Sequence, residues 1–264
     1  LAQPAQRLTG LVDVDPQAVA DGIEAGLRAV GTPERAEGAK AYLKSDLDFV
    51  GVTVGQVRSA VRRLTPTLGR SAVLAVVDAL WAPPVFERRL AAALLLEARP
   101  DVLEPADLAL LERLIRRSRT WALVDVLAGT VAGTLLVRHP DAAGELDRWA
   151  ADEDFWVRRS ALLALLKPLK AGASLDRFLG YADAMVDEKE FFVRKAIGWV
   201  LREEGKRRPD EVVAWLAPRI HRASGVTVRE AVKHLPPRDR RALLAAYGEG
   251  RGPAGGGGPE QARA

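Results

Sequence analysis

The residues that could carry chemistry in this sequence are an aspartate and two tryptophans. Asp125 follows Trp121 by one helical turn, so the two side chains share a helix face, and Trp199 and Arg202 are three residues apart. A carboxylate stabilises positive charge by direct electrostatics, and an indole face does so by cation–π attraction. Because a carboxylate buried alone is costly, Asp125 must be paired, exposed to a groove, or both.

These residues stand out because they break an internal repeat. The repeat aligns segments that begin with an aromatic residue or a threonine, and its anchors are Arg88, Leu123, Arg158, Arg194 and Arg229. At the position two residues after each anchor, Asp125 is the exception among small or apolar residues. Trp199 and Arg202 replace smaller or aliphatic counterparts in the earlier repeats. Positions that depart from a repeat's own pattern are candidates for function.

Hydrophobic periodicity predicts the fold. Apolar residues recur at intervals of three and four, strand signals are nearly absent, and prolines mark five helix starts at Pro16, Pro33, Pro105, Pro140 and Pro209. We expect an all-α protein, a right-handed α-solenoid of HEAT-like helical repeats with a concave basic groove. Residues 15–247 would form the repeat domain, 1–14 an N-terminal extension, and 248–264 a disordered Gly/Pro-rich tail.

The composition excludes several classes of site. The 264 residues include no cysteine and three histidines, which excludes disulfides and thiolate metal sites and leaves no metal site to predict. No P-loop, dinucleotide-binding, zinc-protease or serine-hydrolase motif is present, so we predict no cofactor and no nucleotide. The stretch 121–137 is short for a membrane span and carries a central carboxylate, and the N-terminus lacks signal-peptide features. We therefore expect no membrane partner.

The basic residues admit two interpretations. The net charge is +4 and most of the cations are arginines, which either GC-rich codon use or phosphate recognition would explain. Cations at matching repeat positions would form a stripe along a phosphate backbone, although a charge run is usually a solvated face. The candidate site residues could also have purely structural roles. Asp125 could form an ion pair with Arg159 or another arginine, and Trp121, Trp156 and Trp199 could be core residues.

Five segments, in order along the chain, resemble the bacterial DNA alkylation repair glycosylases built from HEAT-like repeats, the AlkD-like family. The most specific is the string Ile-Gly-Trp-Val-Leu-Arg-Glu at 197–203. The matching segments are 42–52 (Tyr-Leu-Lys to Phe-Val-Gly-Val), 120–125 (Thr-Trp-Ala-Leu-Val-Asp), 154–162, 190–203 and 228–234.

The resemblance implies hydrolysis of the N-glycosidic bond of N3- and N7-alkylated purines in double-stranded DNA, without flipping the base into a pocket. Asp125 matches the catalytic acidic residue, and Trp121 and Trp199 match the aromatic residues that bracket the deoxyribose of the lesion. Further DNA-binding residues are predicted from the family match or from the basic stripe: Tyr42, Arg159, Arg202, Arg158, Arg194 and Lys195. Family members often carry two adjacent aromatics before the acid, whereas this chain has Thr120, so the lesion range stays open.

The chemistry agrees with these residues. A cationic alkylated purine is already a good leaving group, so one carboxylate beside the sugar can stabilise the oxocarbenium ion without a general acid. No lysine is near these positions in the sequence, so we predict no Schiff-base lyase step unless the fold brings one in. We expect a monomeric, cytoplasmic bacterial enzyme that is nucleoid-associated when bound to DNA. The alternatives are a non-catalytic HEAT scaffold for DNA or protein, and a glycosylase for bulky or crosslinked adducts.

Overall fold

The structure is a computed structural model that describes residues 15–63 and 68–249. Within these ranges the protein is all-α, as predicted, with one isolated β-bridge between Asp48 and Val85 and no strand. All five prolines named above begin a helical segment, three of them α-helical and two 3₁₀. The predicted N-terminal extension lies outside the described residues, as does the tail from residue 250. The last helix reaches Glu249, two residues beyond the predicted domain end.

Two compact units make up the described residues. The first takes in 15–41 and 46–103, and the second takes in 42–45 and 104–249. The expectation of a single domain over 15–247 stays a prediction, and each unit is described by itself. The helices of the first unit are α1 (Pro16–Arg28), α2 (Pro33–Leu43, whose last residues belong to the second unit), α3 (Val54–Arg62), α4 (Arg70–Trp81) and α5 (Phe86–Ala98), followed by a 3₁₀ turn at Pro100–Val102.

Buried ionic groups hold the first unit together. Glu87 of α5 is buried and accepts hydrogen bonds from the backbone N–H groups of Val50 and Gly51, both at 2.8 Å. Gly51 has a φ of 83°, which favours glycine, and its N–H thereby reaches the carboxylate. The neighbouring Arg88 is also buried and pairs with Glu24 of α1. These bonds satisfy charges that would be costly if left alone.

The second unit contains the candidate site. Its α-helices are α6 (Leu108–Arg116), α7 (Trp121–Asp125), α8 (Gly133–Arg138), α9 (Glu145–Ala150), α10 (Phe155–Leu163), α11 (Leu166–Lys170), α12 (Asp176–Ala184), α13 (Phe191–Glu204), α14 (Pro209–Leu216), α15 (Gly225–Ala231) and α16 (Pro237–Glu249). A π-helical segment, Val126–Ala132, joins α7 to α8, and 3₁₀ turns lie at Pro105–Asp107, Pro140–Gly144, Ala217–Arg219 and Val232–His234.

The repeat identified in the sequence corresponds to α-helices in the structure. Its five anchors lie in α5, α7, α10, α13 and α15. Within the second unit, α7 packs on α10, α10 on α13, and α13 on α15, in chain order. Side chains cap the N-termini of three of these helices, where Thr120, Asp154 and Ser224 accept a backbone N–H. Asp154, directly before α10, is therefore explained as a helix cap.

Helix α7, the π-helical segment and α8 form one continuous rod, Trp121–Arg138. By length and composition the rod could cross a membrane, and half of it is buried inside the protein. Gly133 lets the rod approach its neighbours, because a Cβ there would lie 3.1 Å from the carbonyl oxygen of Ala164. The rod is therefore packed against the second half of the α10 repeat.

Helices α13 and α15 are in closer contact still, because α13 has a glycine at the crossing point. A Cβ on Gly198 would lie 2.7 Å from the Cβ of Glu230 and 2.9 Å from the carbonyl oxygen of Thr227. The hydroxyl of Thr227 donates to the carbonyl of Arg194 at 3.0 Å, which ties the start of α15 to α13. This close approach brings α15 side chains beside Trp199 and Arg202.

Candidate active site

A cavity of about 330 Å³ opens in the second unit. Helices α7, α10, α13 and α15 supply its walls, which are lined by Trp121, Asp125, Arg159, Phe192, Lys195, Trp199, Arg202 and Glu230. The three residues predicted to be catalytic thus line a single cavity. Of the residues predicted to bind DNA, Arg159, Lys195 and Arg202 also line it.

The local fold around Asp125 is unusual. Thr120 is buried and caps α7, and this position, where the family resemblance predicts a second aromatic residue, does not line the cavity. Asp125 is the last α-helical residue before the π-helical segment. π-helical turns are rare and occur frequently at functional sites, because the wider turn changes where neighbouring side chains point. Here the change in helical geometry falls directly after the carboxylate.

Asp125 is both paired and exposed to the cavity. Arg159 holds it with two hydrogen bonds, from Nε to Oδ1 at 2.9 Å and from Nη2 to Oδ2 at 3.0 Å. The Arg159 side chain is only 2% exposed, and its Nη1 donates to the carbonyl of Phe192. The Asp125 side chain is 17% exposed. The ion pair considered in the sequence analysis therefore exists, but it does not remove the carboxylate from the cavity.

The burial of Arg159 determines how it can act. Its hydrogen-bonding groups face Asp125 and the α13 backbone, and its Cζ lies 5.8 Å from the ring centroid of Phe192. This geometry supports a role in orienting Asp125. A direct contact of Arg159 with DNA stays a prediction.

The electrostatics of Asp125 reflect competing influences. Burial raises its pKa above the ordinary 3.8, while the charge of Arg159, its hydrogen bonds, and the charge of Lys195 act in the opposite direction. The net result is a raised pKa. Ionising Asp125 therefore costs more than ionising a solvated carboxyl, and the charge has a stronger field because less water screens it.

Half-buried indoles border the carboxylate, and each has a neighbour that fixes it. The ring of Tyr42 meets Trp121 edge-on, with ring centroids 5.8 Å apart and an interplanar angle of 79°. Tyr42 itself is 63% exposed and therefore accessible to a ligand. The Cζ of Arg202 lies 6.0 Å from the centroid of Trp199. Trp156 does not line the cavity and instead contacts Phe155 and Phe192, with its ring tilted by 40° and 38° to theirs.

Two residues that line the cavity differ from what the sequence predicted. Lys195, predicted to bind DNA, lies four residues before Trp199 on α13, lines the cavity and is close enough to lower the pKa of Asp125 by its charge, so the statement that no lysine is near these positions was wrong. Glu230 was not predicted at all. In the sequence it looks like an ordinary helical Glu–Lys pair with Lys233, three residues on, and no local signal reveals that it faces Arg202.

Arg158 and Arg194 lie away from the cavity. Arg158 pairs with Glu188 at 2.7 Å and donates to the backbone carbonyls of Asp152 and Glu153, and Arg194 donates to the carbonyl of Glu188. Their predicted DNA contacts stay predictions. The cations that follow α13 are also paired with acids, since Lys206 pairs with Glu203, and Arg207 and Arg208 pair with Glu204.

The side chains that commonly bind metal ions do not form a cluster in the described part of the chain. Within 15–63 and 68–249, no group of three or more histidine, aspartate or glutamate side chains is arranged to hold a metal ion.

Comparison with known proteins identifies the family. A family model described as DNA alkylation repair enzyme matches residues 23–235, which is most of the chain. The chain belongs to the DNA alkylation repair enzyme family. Membership supports a role in DNA repair with DNA as the substrate, and the matched range contains every residue of the cavity.

A solved structure shares the fold of this family member. It is described as a "Predicted DNA alkylation repair enzyme from Enterococcus faecalis", with a TM-score of 0.73 and 23% sequence identity. The match covers 78% of this chain and 97% of that one. No curated protein is similar enough to count as a relative.

Proposed function

We propose that the protein is a monofunctional DNA glycosylase that hydrolyses the N-glycosidic bond of N3- and N7-alkylated purines in duplex DNA. The observation that carries the proposal is Asp125, which a buried arginine fixes from behind while the carboxylate stays exposed to a cavity bordered by two indoles. A DNA-binding scaffold has no need for such an arrangement.

The reaction suits a site without a general acid. An N3- or N7-alkylated purine is cationic, so the bond from C1′ to the base nitrogen breaks with its electron pair going to the base, which leaves neutral. Positive charge then develops on the sugar as an oxocarbenium ion. Water adds to C1′ and loses one proton, leaving an abasic site. Asp125 would stabilise the cationic sugar and orient the attacking water.

The surroundings strengthen this role. Arg159 and Lys195 oppose the effect of burial on the pKa of Asp125 and so favour the ionised carboxylate that the reaction requires. Trp121 and Trp199 offer ring faces to the developing cation and exclude bulk water, which strengthens each electrostatic interaction inside. We propose that Tyr42, Lys195 and Arg202 contact the DNA around the lesion.

The test is release of 7-methylguanine from methylated duplex DNA by wild-type protein and by Asp125→Asn. We expect a loss of about 10²–10³-fold in the single-turnover rate, the usual cost of removing one charge-stabilising group. A matched control exists in Asp183→Asn, because Asp183 pairs with both Nε and Nη2 of Arg219 but does not line the cavity. The control should excise like wild type.

The substrate panel should include bulky N3 and N7 adducts. Release of bulky adducts alone would favour the alternative of a glycosylase for bulky or crosslinked adducts. Salt-dependent binding to duplex DNA without release of any adduct would favour the non-catalytic scaffold. Equal release by wild type and Asp125→Asn would contradict the assigned role of the carboxylate.

A further inference from the structure

Glu230 is the second carboxylate of the cavity, and the proposed reaction does not use it. It projects from α15, and its side chain is 17% exposed, as is that of Asp125. Its Oε2 accepts a hydrogen bond from Nη1 of Arg202, and its Oε1 accepts one from Nζ of Lys233 at 2.5 Å. Its charge therefore acts first on these two cations.

Arg202 contacts both this carboxylate and the indole of Trp199. Its Cζ is 6.0 Å from the ring centroid, within the range of a cation–π interaction. A free arginine side chain samples many rotamers, so a partner that fixes its guanidinium also fixes what the guanidinium contacts. The other partner of Arg202 is Glu203, which accepts from Nε at 3.3 Å and does not line the cavity.

The approach of α15 to α13 makes the contact possible. Gly198 leaves room for the Cβ of Glu230 and the backbone of Thr227, and the hydroxyl of Thr227 ties the start of α15 to α13. Glu230 is therefore held by the fold on the cavity side of Arg202.

We infer that Glu230 is a positioning residue that clamps Arg202 against Trp199 and so fixes the indole as one wall of the cavity. The inference rests on the proposed function, because the wall acts on the charge that develops on the sugar. Glu230 does not touch the reacting atoms in this role. It also neutralises part of the positive charge that Arg202 would otherwise offer to a phosphate. Its loss should therefore weaken catalysis without weakening binding to undamaged DNA.

The first measurement is the single-turnover excision of 7-methylguanine, with the dissociation constant for undamaged duplex measured in parallel. Glu230→Gln should lower the rate roughly tenfold, as expected for losing a charge-assisted hydrogen bond. Its affinity for undamaged duplex should be unchanged or tighter. Arg202→Met should lose a similar factor in rate, and the double variant should be no slower than the slower single variant, because the two residues act together.

Glu203→Gln is the matched control, because it removes the other acidic partner of Arg202 and should excise like wild type. A Glu230→Gln rate within twofold of wild type would overturn the inference. Rate losses that multiply in the double variant would do the same. Thermal unfolding of each variant verifies that the compared proteins are folded.

A second measurement does not depend on activity. The indole N–H resonance of Trp199, identified by its absence in Trp199→Phe, should shift in Glu230→Gln and Arg202→Met but not in Glu203→Gln. An unshifted resonance in Glu230→Gln would overturn the inference even if excision is normal in the wild type. If the wild-type protein releases no adduct, the proposed function fails, and a shifted resonance would then support the clamp alone, without its catalytic role.

Discussion

The guanidinium of Arg159 is more deeply buried than the carboxylate of Asp125 that it holds, with side-chain exposures of 2% and 17%. The ion pair is thus oriented, with its positive partner toward the protein and its negative partner toward the cavity. Such an arrangement fixes a carboxylate in position and leaves its field directed at whatever occupies the cavity. It also makes the protonation of Asp125 sensitive to Arg159.

The excision rate should depend on pH through Asp125. Burial raises the pKa of this carboxyl, and the reaction needs its ionised form, so the rate should rise with pH through the raised pKa and then level off. Arg159→Gln removes the strongest influence that lowers this pKa. In that variant we expect the rising limb at higher pH and a lower plateau, measured as single-turnover rates on 7-methylguanine duplex.

The control for this profile is Arg219→Gln, which breaks a comparable ion pair with Asp183 outside the cavity. Its rising limb should coincide with that of wild type. If the rising part of the pH–rate profile of Arg159→Gln coincides with that of wild type, or lies at lower pH, then Arg159 does not keep Asp125 ionised.

Stability should depend on pH in a related way. Because the pKa of Asp125 is higher in the folded state than the ordinary 3.8, folding favours the protonated form, and stability is lost as pH rises from 3.8 through the folded pKa. The Asp125→Asn variant lacks this loss. The free energy of unfolding of wild type relative to the variant should therefore fall over that interval and then stay constant, as measured by urea unfolding at several pH values. A relative stability of wild type that rises with pH would reverse the assigned sign.

The two indoles should contribute to the rate rather than to general DNA binding. A cation–π interaction contributes about 0.5–2 kcal/mol, so replacing Trp121 or Trp199 with alanine should slow excision roughly two- to thirtyfold. Phenylalanine should recover part of the loss, because it keeps a ring face. Rates of both substitutions at each position test this. Equal rates for the alanine and phenylalanine variants would show that ring electrostatics play no part.

Two glycine substitutions should have opposite effects on stability. In Gly198→Ala the new methyl group would meet Glu230 and the backbone of Thr227, so we expect a loss of about 1–3 kcal/mol. At Gly180, on α12, a Cβ would meet nothing within 4 Å, and alanine has the higher helix propensity. Gly180→Ala should therefore gain up to about 1 kcal/mol. Urea unfolding measures both, and equal effects would contradict the close helix contact.

The abasic product should remain uncleaved, although Lys195 lines the cavity. Nucleophilic lysines usually lie in an apolar pocket or beside another cation, whereas Lys195 is near the carboxylate of Asp125 and over the ring of Phe191. We therefore expect borohydride to trap no covalent protein–DNA adduct. Trapping in wild type that disappears in Lys195→Arg would instead assign a lyase step to this residue.

Several features of the site could be predicted from the sequence because they depend on local pattern. Helical periodicity predicts the all-α fold, and departures from the repeat indicated Asp125, Trp199 and Arg202, which all line one cavity. The family resemblance is confirmed by the match over residues 23–235. These predictions succeed because residues one helical turn apart share a helix face, and this does not depend on which other helices pack nearby.

Other features could not be predicted because they depend on which helices meet. Glu230 lies 28 residues after Arg202, and only the contact between α13 and α15 brings the two together. The orientation of the Asp125–Arg159 pair depends on the depth of α10 in the fold. The predicted stripe treated arginines as free cations, whereas Arg158 and Arg202 each face a glutamate from a later part of the chain.

The π-helical segment, Val126–Ala132, has a consequence for how this site can change. An α-helix pairs each N–H with the carbonyl four residues back and a π-helix with the one five back, so losing or gaining a single residue in the segment would change the hydrogen-bond pattern directly after Asp125 even if every cavity side chain were kept. The placement of the carboxylate thus depends on the number of residues in the rod as well as on their identity. Variants of this protein that differ by one insertion or deletion here should be regarded as altered in their chemistry, even where all the cavity residues are retained.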